Sequence, residues 1–216
     1  MGIMAFMKLI DTAAGKLGIW ELTDSSEKLA ENFSFSETEK KEFGQLKNEK
    51  RKKEYLAVRL LLENMMHTKA EIEYDRNGKP HIKGSSLHIS ISHSPELAVI
   101  LLSEKKAGVD AENIYRNTES IATRFLSGKE IENTQNTSNP ALSRIMYWSA
   151  KEAAIKYSGM AEIELKSDLF VYFFHPEPEG GKFSGGICKD GPVTNLTFHY
   201  FFYEKNVIVT CIEDKK

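Results

Sequence analysis

The polar and apolar residues change period several times along the chain, and each change marks a predicted element. Between Phe43 and Met66 the apolar side chains of Tyr55, Val58, Leu62, Met65 and Met66 fall at helical spacing, so a long helix with one buried face is predicted there. Its first half carries Lys47, Lys50, Arg51, Lys52 and Lys53. Taken alone, such a run reads as a solvated helix face. Asp75 to Pro80 holds Asn-Gly and Pro and is predicted to turn. In LHISIS, residues 87 to 92, Leu87, Ile89 and Ile91 alternate with His88, Ser90 and Ser92, the period of a strand. Residues 97 to 102, LAVILL, are continuously apolar and predict a buried strand, and AGVDAE at 107 to 112 alternates again. A short antiparallel sheet behind the basic helix is the expectation for the middle of the chain.

Glu132 to Pro140 lacks periodicity and is predicted to be a surface loop. A helix follows, with Met146, Ala150, Ala153, Ala154 and Tyr157 on one stripe and Ser149, Glu152, Lys156 and Gly159 on the neighbouring line. Beyond Lys166 the chain turns to strand: LFVYFF at 169 to 174, then NLTFHYFFYE and NVIVTCIE around a Lys205-Asn206 turn. Helix then strands, twice over and without a repeat in sequence, predicts an α+β protein of two similar halves, 1–106 and 107–216.

Composition narrows the class. With 41% hydrophobic and 28% charged residues, 216 residues form an ordinary globular chain able to bury one good core or two small ones. A net charge of −2 gives no global attraction to nucleic acid, so any phosphate binding must be local. Cys188 and Cys211 are too few for a disulfide framework and are read as core residues of a reduced, cytoplasmic protein. Lys8 and Asp11 interrupt the start before a signal-like run develops, Gly2 lacks the Ser or Thr at position 6 that myristoylation requires, and no window is apolar enough to span a membrane.

Strand alternation puts Asp110 and Glu112 on one side of Gly108-Val109-Asp110-Ala111-Glu112, roughly 6–7 Å apart. Carboxylates so placed repel unless a cation or proton lies between them, and a hard divalent ion suits the pair; the polar outer face of an edge strand is the plainer reading. Glu152 and Lys156 stand one helical turn apart, which is also the spacing of a routine surface ion pair. Ser92-His93-Ser94-Pro95 ends a strand with two hydroxyls and an imidazole that suit a phosphate. The other histidines show no ligand spacing.

Individually weak, these pieces occur in a specific order: the basic helix, Gly78-Lys79-Pro80, Ile91-Ser92-His93-Ser94, Gly108 to Glu112, Phe125-Leu126-Ser127 with Glu130, and Trp148-Ser149-Ala150-Lys151-Glu152-Ala153-Ala154-Ile155-Lys156. The combination, over about residues 35 to 165, resembles the Sfp-type 4′-phosphopantetheinyl transferases. Pro95-Glu96 stands where many members carry Gly, and Gly159-Met160-Ala161 where Gly-x-Gly is common.

The resemblance implies the fold of that family, with the active site between the halves. It implies transfer of the phosphopantetheine arm of coenzyme A to a serine of an apo acyl or peptidyl carrier protein, with magnesium and release of adenosine 3′,5′-bisphosphate. Asp110, Glu112 and Glu152 are then the metal ligands, Glu152 and Lys156 the catalytic pair, and Lys50, Arg51, Lys53, Arg76, Lys79, Ser92, His93 and Lys156 the coenzyme A contacts. Lys151 and Trp148 are expected to support the same site, Trp148 chiefly by packing, and the 132–140 segment to help dock the carrier. A monomer is expected, with no nucleic-acid or membrane partner. A coenzyme A-binding module without catalysis and a magnesium-dependent phosphohydrolase are the alternatives weighed.

Overall fold

The computed structural model describes residues 7–160 and 162–214, so Gly2 and Ala161 fall outside it. The protein is α+β. Strands β1 (Met7–Thr12), β2 (Gly15–Glu21), β5 (His88–His93) and β6 (Leu97–Ser103) form one antiparallel sheet in the order β1-β2-β6-β5. A second antiparallel sheet runs β7-β11-β10-β9-β8, from β7 (Ala107–Asn113), β8 (Leu169–Val171), β9 (Gly181–Ile187), β10 (Thr194–Tyr203) and β11 (Asn206–Glu213). A small hairpin, β3 (Ile72–Tyr74) with β4 (Pro80–Ile82), closes through the Asp75–Lys79 turn.

Three apolar cores hold these layers. After the short helices α1 (Ser26–Glu31) and α2 (Glu37–Gln45), helix α3 (Glu49–Met66) lays Leu56, Leu61 and Leu62 against Ala98, Ile100 and Leu102 of β6. Beyond α4 (Ala122–Phe125) and α5 (Gly128–Gln135), helix α6 (Pro140–Ser158) lays Met146, Ala150, Ala153 and Ala154 against the second sheet. Between the sheets, Leu97, Val99 and Leu101 meet Val109, Ala111 and Ile208. Strand β6 therefore buries both faces, the physical reason its sequence is an unbroken apolar run.

Several sequence expectations shift. The basic helix starts at Glu49, where Asn48 caps it by accepting from the amides of Lys50 and Arg51; Phe43 belongs to α2 (Glu37–Gln45). Strand β7 pairs with β11 rather than extending the β5–β6 hairpin. The supposed 132–140 loop is half helix, since α5 runs Gly128–Gln135 from a capping box between Ser127 and Glu130. The strand read at 169–174 stops at Val171, and Cys188 is exposed while Cys211 is buried. Among the described residues no helix is long and apolar enough to cross a membrane.

Candidate active site

The site is built where α6 crosses β7. Gly108 permits the crossing: a Cβ there would lie 2.0 Å from the carbonyl oxygen of Ala153 and 2.8 Å from the amide nitrogen of Tyr157. Any side chain would lift the helix off the strand. With the backbones this close, the helix line Ser149, Glu152, Lys156 reaches the strand side chain two residues on. The Asp110 carboxylate, 4% exposed, accepts from Lys156 Nζ at 2.7 Å and Ser92 Oγ at 2.8 Å through Oδ1, and from Ser149 Oγ at 2.8 Å through Oδ2.

Ser92 also splices the two sheets. Its hydroxyl accepts from the Ala111 amide at 3.3 Å and from Lys156 Nζ at 2.8 Å, while Ser90 Oγ accepts from the Val109 amide at 3.0 Å. These are β7 amides that β11 does not use, so serine hydroxyls stand in for a ladder partner. The alternation of LHISIS thus buries both faces, apolar toward α3 and hydroxyl toward β7.

Glu112 points to the outer end of the same crossing. Its Oε1 accepts from the Trp148 indole N–H at 2.7 Å and is ion-paired with Arg116, whose guanidinium lies 4.9 Å from the Trp148 ring centroid. Trp148 also packs edge-on against Phe125, so it both packs and binds Glu112. Burial, and then the charge of Asp110, push the Glu112 carboxyl up to about 7. The same two causes raise Glu152, which is half-buried beside them.

Asp110, Glu112 and Glu152, of which the first raises the other two, are a donor set of carboxylates that fits a hard divalent cation. They are not gathered as ligands: among the described residues no group of three or more His, Cys, Asp or Glu stands ready to hold a metal. The protein's own cations, Lys156 and Arg116, engage Asp110 and Glu112 instead.

Of the residues expected to bind coenzyme A, Arg51 and His93 line one depression of about 170 Å³, together with Glu54 and Tyr55. The His93 Nε2 is enclosed without a hydrogen-bond partner, and burial first, with Lys156, Arg51 and Lys50 adding to it against Glu54, drives the imidazole down to about 4. Lys50 and Arg51 reach Glu54 at 3.8 and 2.9 Å. Lys79 and Lys156 line a neighbouring cleft of about 140 Å³ with Gly159, and Ile91 borders both hollows. Gly159 caps α6 at φ 66°, and a Cβ there would meet the Lys79 side chain at 2.7 Å. Lys53 is half-buried on α3, and Arg76 is exposed in the β3–β4 turn; neither lines these two hollows.

Lys151 does not join the site. It is fully buried, paired with Glu130 at 2.8 Å and bonded to the carbonyls of Phe125, Leu165 and Leu169. The FLS-Glu130 motif is thus an α5 cap whose carboxylate also anchors α6, a role the Ser-x-x-Glu spacing signalled but the sequence reading passed over. The Arg116 contact to Glu112 was missed for a different reason: it depends on a turn that no periodicity announces.

An α+β chain with a strand Gly-x-Asp-x-Glu crossed by a helix bearing Trp-Ser-x-Lys-Glu-x-x-x-Lys defines a class by fold and site together. Residues 106–211 match the family model of the 4′-phosphopantetheinyl transferase superfamily, and that stretch holds both the strand and the helix of the site. One curated relative, the 4′-phosphopantetheinyl transferase psf-1 of Bacillus pumilus, is 36% identical over 92 residues. That alignment spans 40% of this chain and 39% of the relative.

Proposed function

We propose that the protein moves the 4′-phosphopantetheine arm of coenzyme A onto a serine of an apo acyl or peptidyl carrier protein, releasing adenosine 3′,5′-bisphosphate. The observation that carries the reading is the Asp110–Lys156 pair held by Ser92 and Ser149, with Glu112 and Glu152 beside it, in a chain that matches the family model of this superfamily. Asp110, Glu112 and Glu152 would hold magnesium, which when bound stabilises charge on the diphosphate as a Lewis acid.

The chain's own groups do the rest. An extended, several-fold anionic ligand suits two adjoining hollows, one with Arg51 and an imidazole nitrogen lacking a partner, the other with Lys79 and Lys156. Lys156, with its side chain 26% exposed, can meet a phosphate oxygen while staying close to Asp110. The hydroxyl of Ser92 is committed to Asp110 and β7, so its part is to position the carboxylate. Glu152, its carboxyl raised above the ordinary range by burial and then by the charge of Asp110, suits a base that takes the serine proton as the serine oxygen bonds phosphorus and the bond to the nucleotide phosphate breaks. The two similar halves, 1–106 and 107–216, meet at this site in the same reading.

The test is incubation with Mg²⁺, coenzyme A and apo carrier proteins, fatty acid and peptide carriers in competition, read by intact mass. A phosphopantetheine mass gain on the carrier serine supports the reading. Binding of coenzyme A with no gain on any carrier favours a binding module and overturns it.

A further inference from the structure

We infer that Arg116 is a resident counter-cation that occupies Glu112 and must be displaced before a divalent cation can use that carboxylate. The inference rests on the proposed metal-binding role of Glu112 and concerns a residue outside every motif that defines the site.

The geometry separates two kinds of ion pair. Lys151 with Glu130 is permanent: both side chains are sealed, at 0% and 4% exposure, and the ammonium has three carbonyl partners besides. Arg116 with Glu112 is exchangeable, because the arginine side chain is 39% exposed and its release costs little desolvation. A turn aims it. The Arg116 amide donates to the Asn113 carbonyl and the Tyr115 amide to Asn113 Oδ1, folding the chain back just after β7 so that residue 116 lies over residue 112.

The Trp148 indole then holds both partners, its N–H on Glu112 and its face beneath the guanidinium. A planar guanidinium can stack and pair at once, which an ammonium does less well. Arg116 thereby compensates a carboxylate that lies two residues from Asp110 on the same face of β7. A cation arriving at Glu112 must compete with it, so the apparent affinity is lowered by the fraction of molecules in which Arg116 is seated.

The experiment is titration of the full chain with Mn²⁺, with and without coenzyme A, by calorimetry and by Trp148 fluorescence in a Trp20→Phe background. Arg116→Gln is expected to bind Mn²⁺ about three- to tenfold tighter than the parent. Arg116→Lys, which keeps the charge but not the stacking on Trp148, is expected to fall between the parent and Arg116→Gln. Trp148 emission should change on Mn²⁺ addition in the parent and start already shifted in Arg116→Gln. Equal Mn²⁺ affinity in parent and Arg116→Gln overturns the inference while leaving the cation site standing. Absence of Mn²⁺ binding in every variant, with coenzyme A present, overturns both. Thermal midpoints of the variants within a few degrees of the parent exclude a folding defect as the source of any difference.

Discussion

Asp110 shows how a single side chain reverses a sequence-based expectation. Read as one of several repelling carboxylates, it should be removable without harm to the fold. In the structure it is instead the acceptor at which a lysine and two serines converge. Asp110→Ala is therefore expected to abolish transfer and also to cost about 2–4 kcal/mol of stability, because Lys156 and two hydroxyls lose their acceptor together. Urea unfolding beside the carrier mass assay checks both; an unchanged midpoint would show that the network adds nothing to stability. His93 gives the pH dependence. Its folded value of about 4 lies below the ordinary 6.5, so the neutral imidazole is favoured by the fold. That contribution is complete above pH 6.5 and is lost as pH falls toward 4, reaching at most about 3 kcal/mol. His93→Asn is expected to flatten the acid limb of stability between those limits, read as urea midpoint against pH. A parallel limb in the variant would assign acid sensitivity to other groups.

At the scale of elements, Lys151 decides how α6 is held. It sits in the signature stretch among residues proposed for chemistry, but its ammonium ties α6 to α5 and to the carbonyls leading into β8. Lys151→Ala leaves Glu130 buried without its counter-charge and is expected to destabilise by about 3–5 kcal/mol. Transfer per folded molecule, scored at low temperature against the folded fraction by circular dichroism, should stay near the parent's; a specific rate loss would return Lys151 to the site.

The elements legible from sequence were those with a strong period or an unbroken apolar run: α3, β5, β6, β7, β10, β11 and the α6 stripe. The β1–β2 hairpin was not legible, because β1 is a half-exposed edge with no clean alternation. Nor was β9, whose GKFSGGI sequence lowers strand propensity; a Cβ at Gly185 or Gly186 would lie 2.3 Å from the Phe170 carbonyl oxygen or 2.4 Å from that of Thr194, so the neighbouring strands leave room for glycine alone. The site line Ser149, Glu152, Lys156 was legible as one helix face. The hydroxyl splice through Ser90 and Ser92 was not, since it joins strands that are not ladder partners.

The whole molecule turns on whether its two sheets are separable. The first is made only of strands up to Ser103 and the second only of strands from Ala107 on, an arrangement that invites independent unfolding. Against this stands a shared core in which β6 buries Leu97, Val99 and Leu101 against Val109, Ala111 and Ile208, reinforced by the serine splice. Each sheet alone would expose that face, and burial of such side chains contributes on the order of 1.5–3 kcal/mol apiece. Summed over these side chains the coupling is comparable to the whole stability of a typical domain, about 5–15 kcal/mol, so a single cooperative transition is expected. Trp20 lies in the first sheet and Trp148 on α6, which gives each part its own probe. Urea unfolding of Trp20→Phe and Trp148→Phe, each followed by its remaining tryptophan and by circular dichroism, should have its fluorescence and dichroism transitions coincide within each variant. Noncoincident curves would mean that the sheets unfold separately, and the Asp110 network, which ties β7 to β5 and α6 at once, would then be lost at the weaker transition.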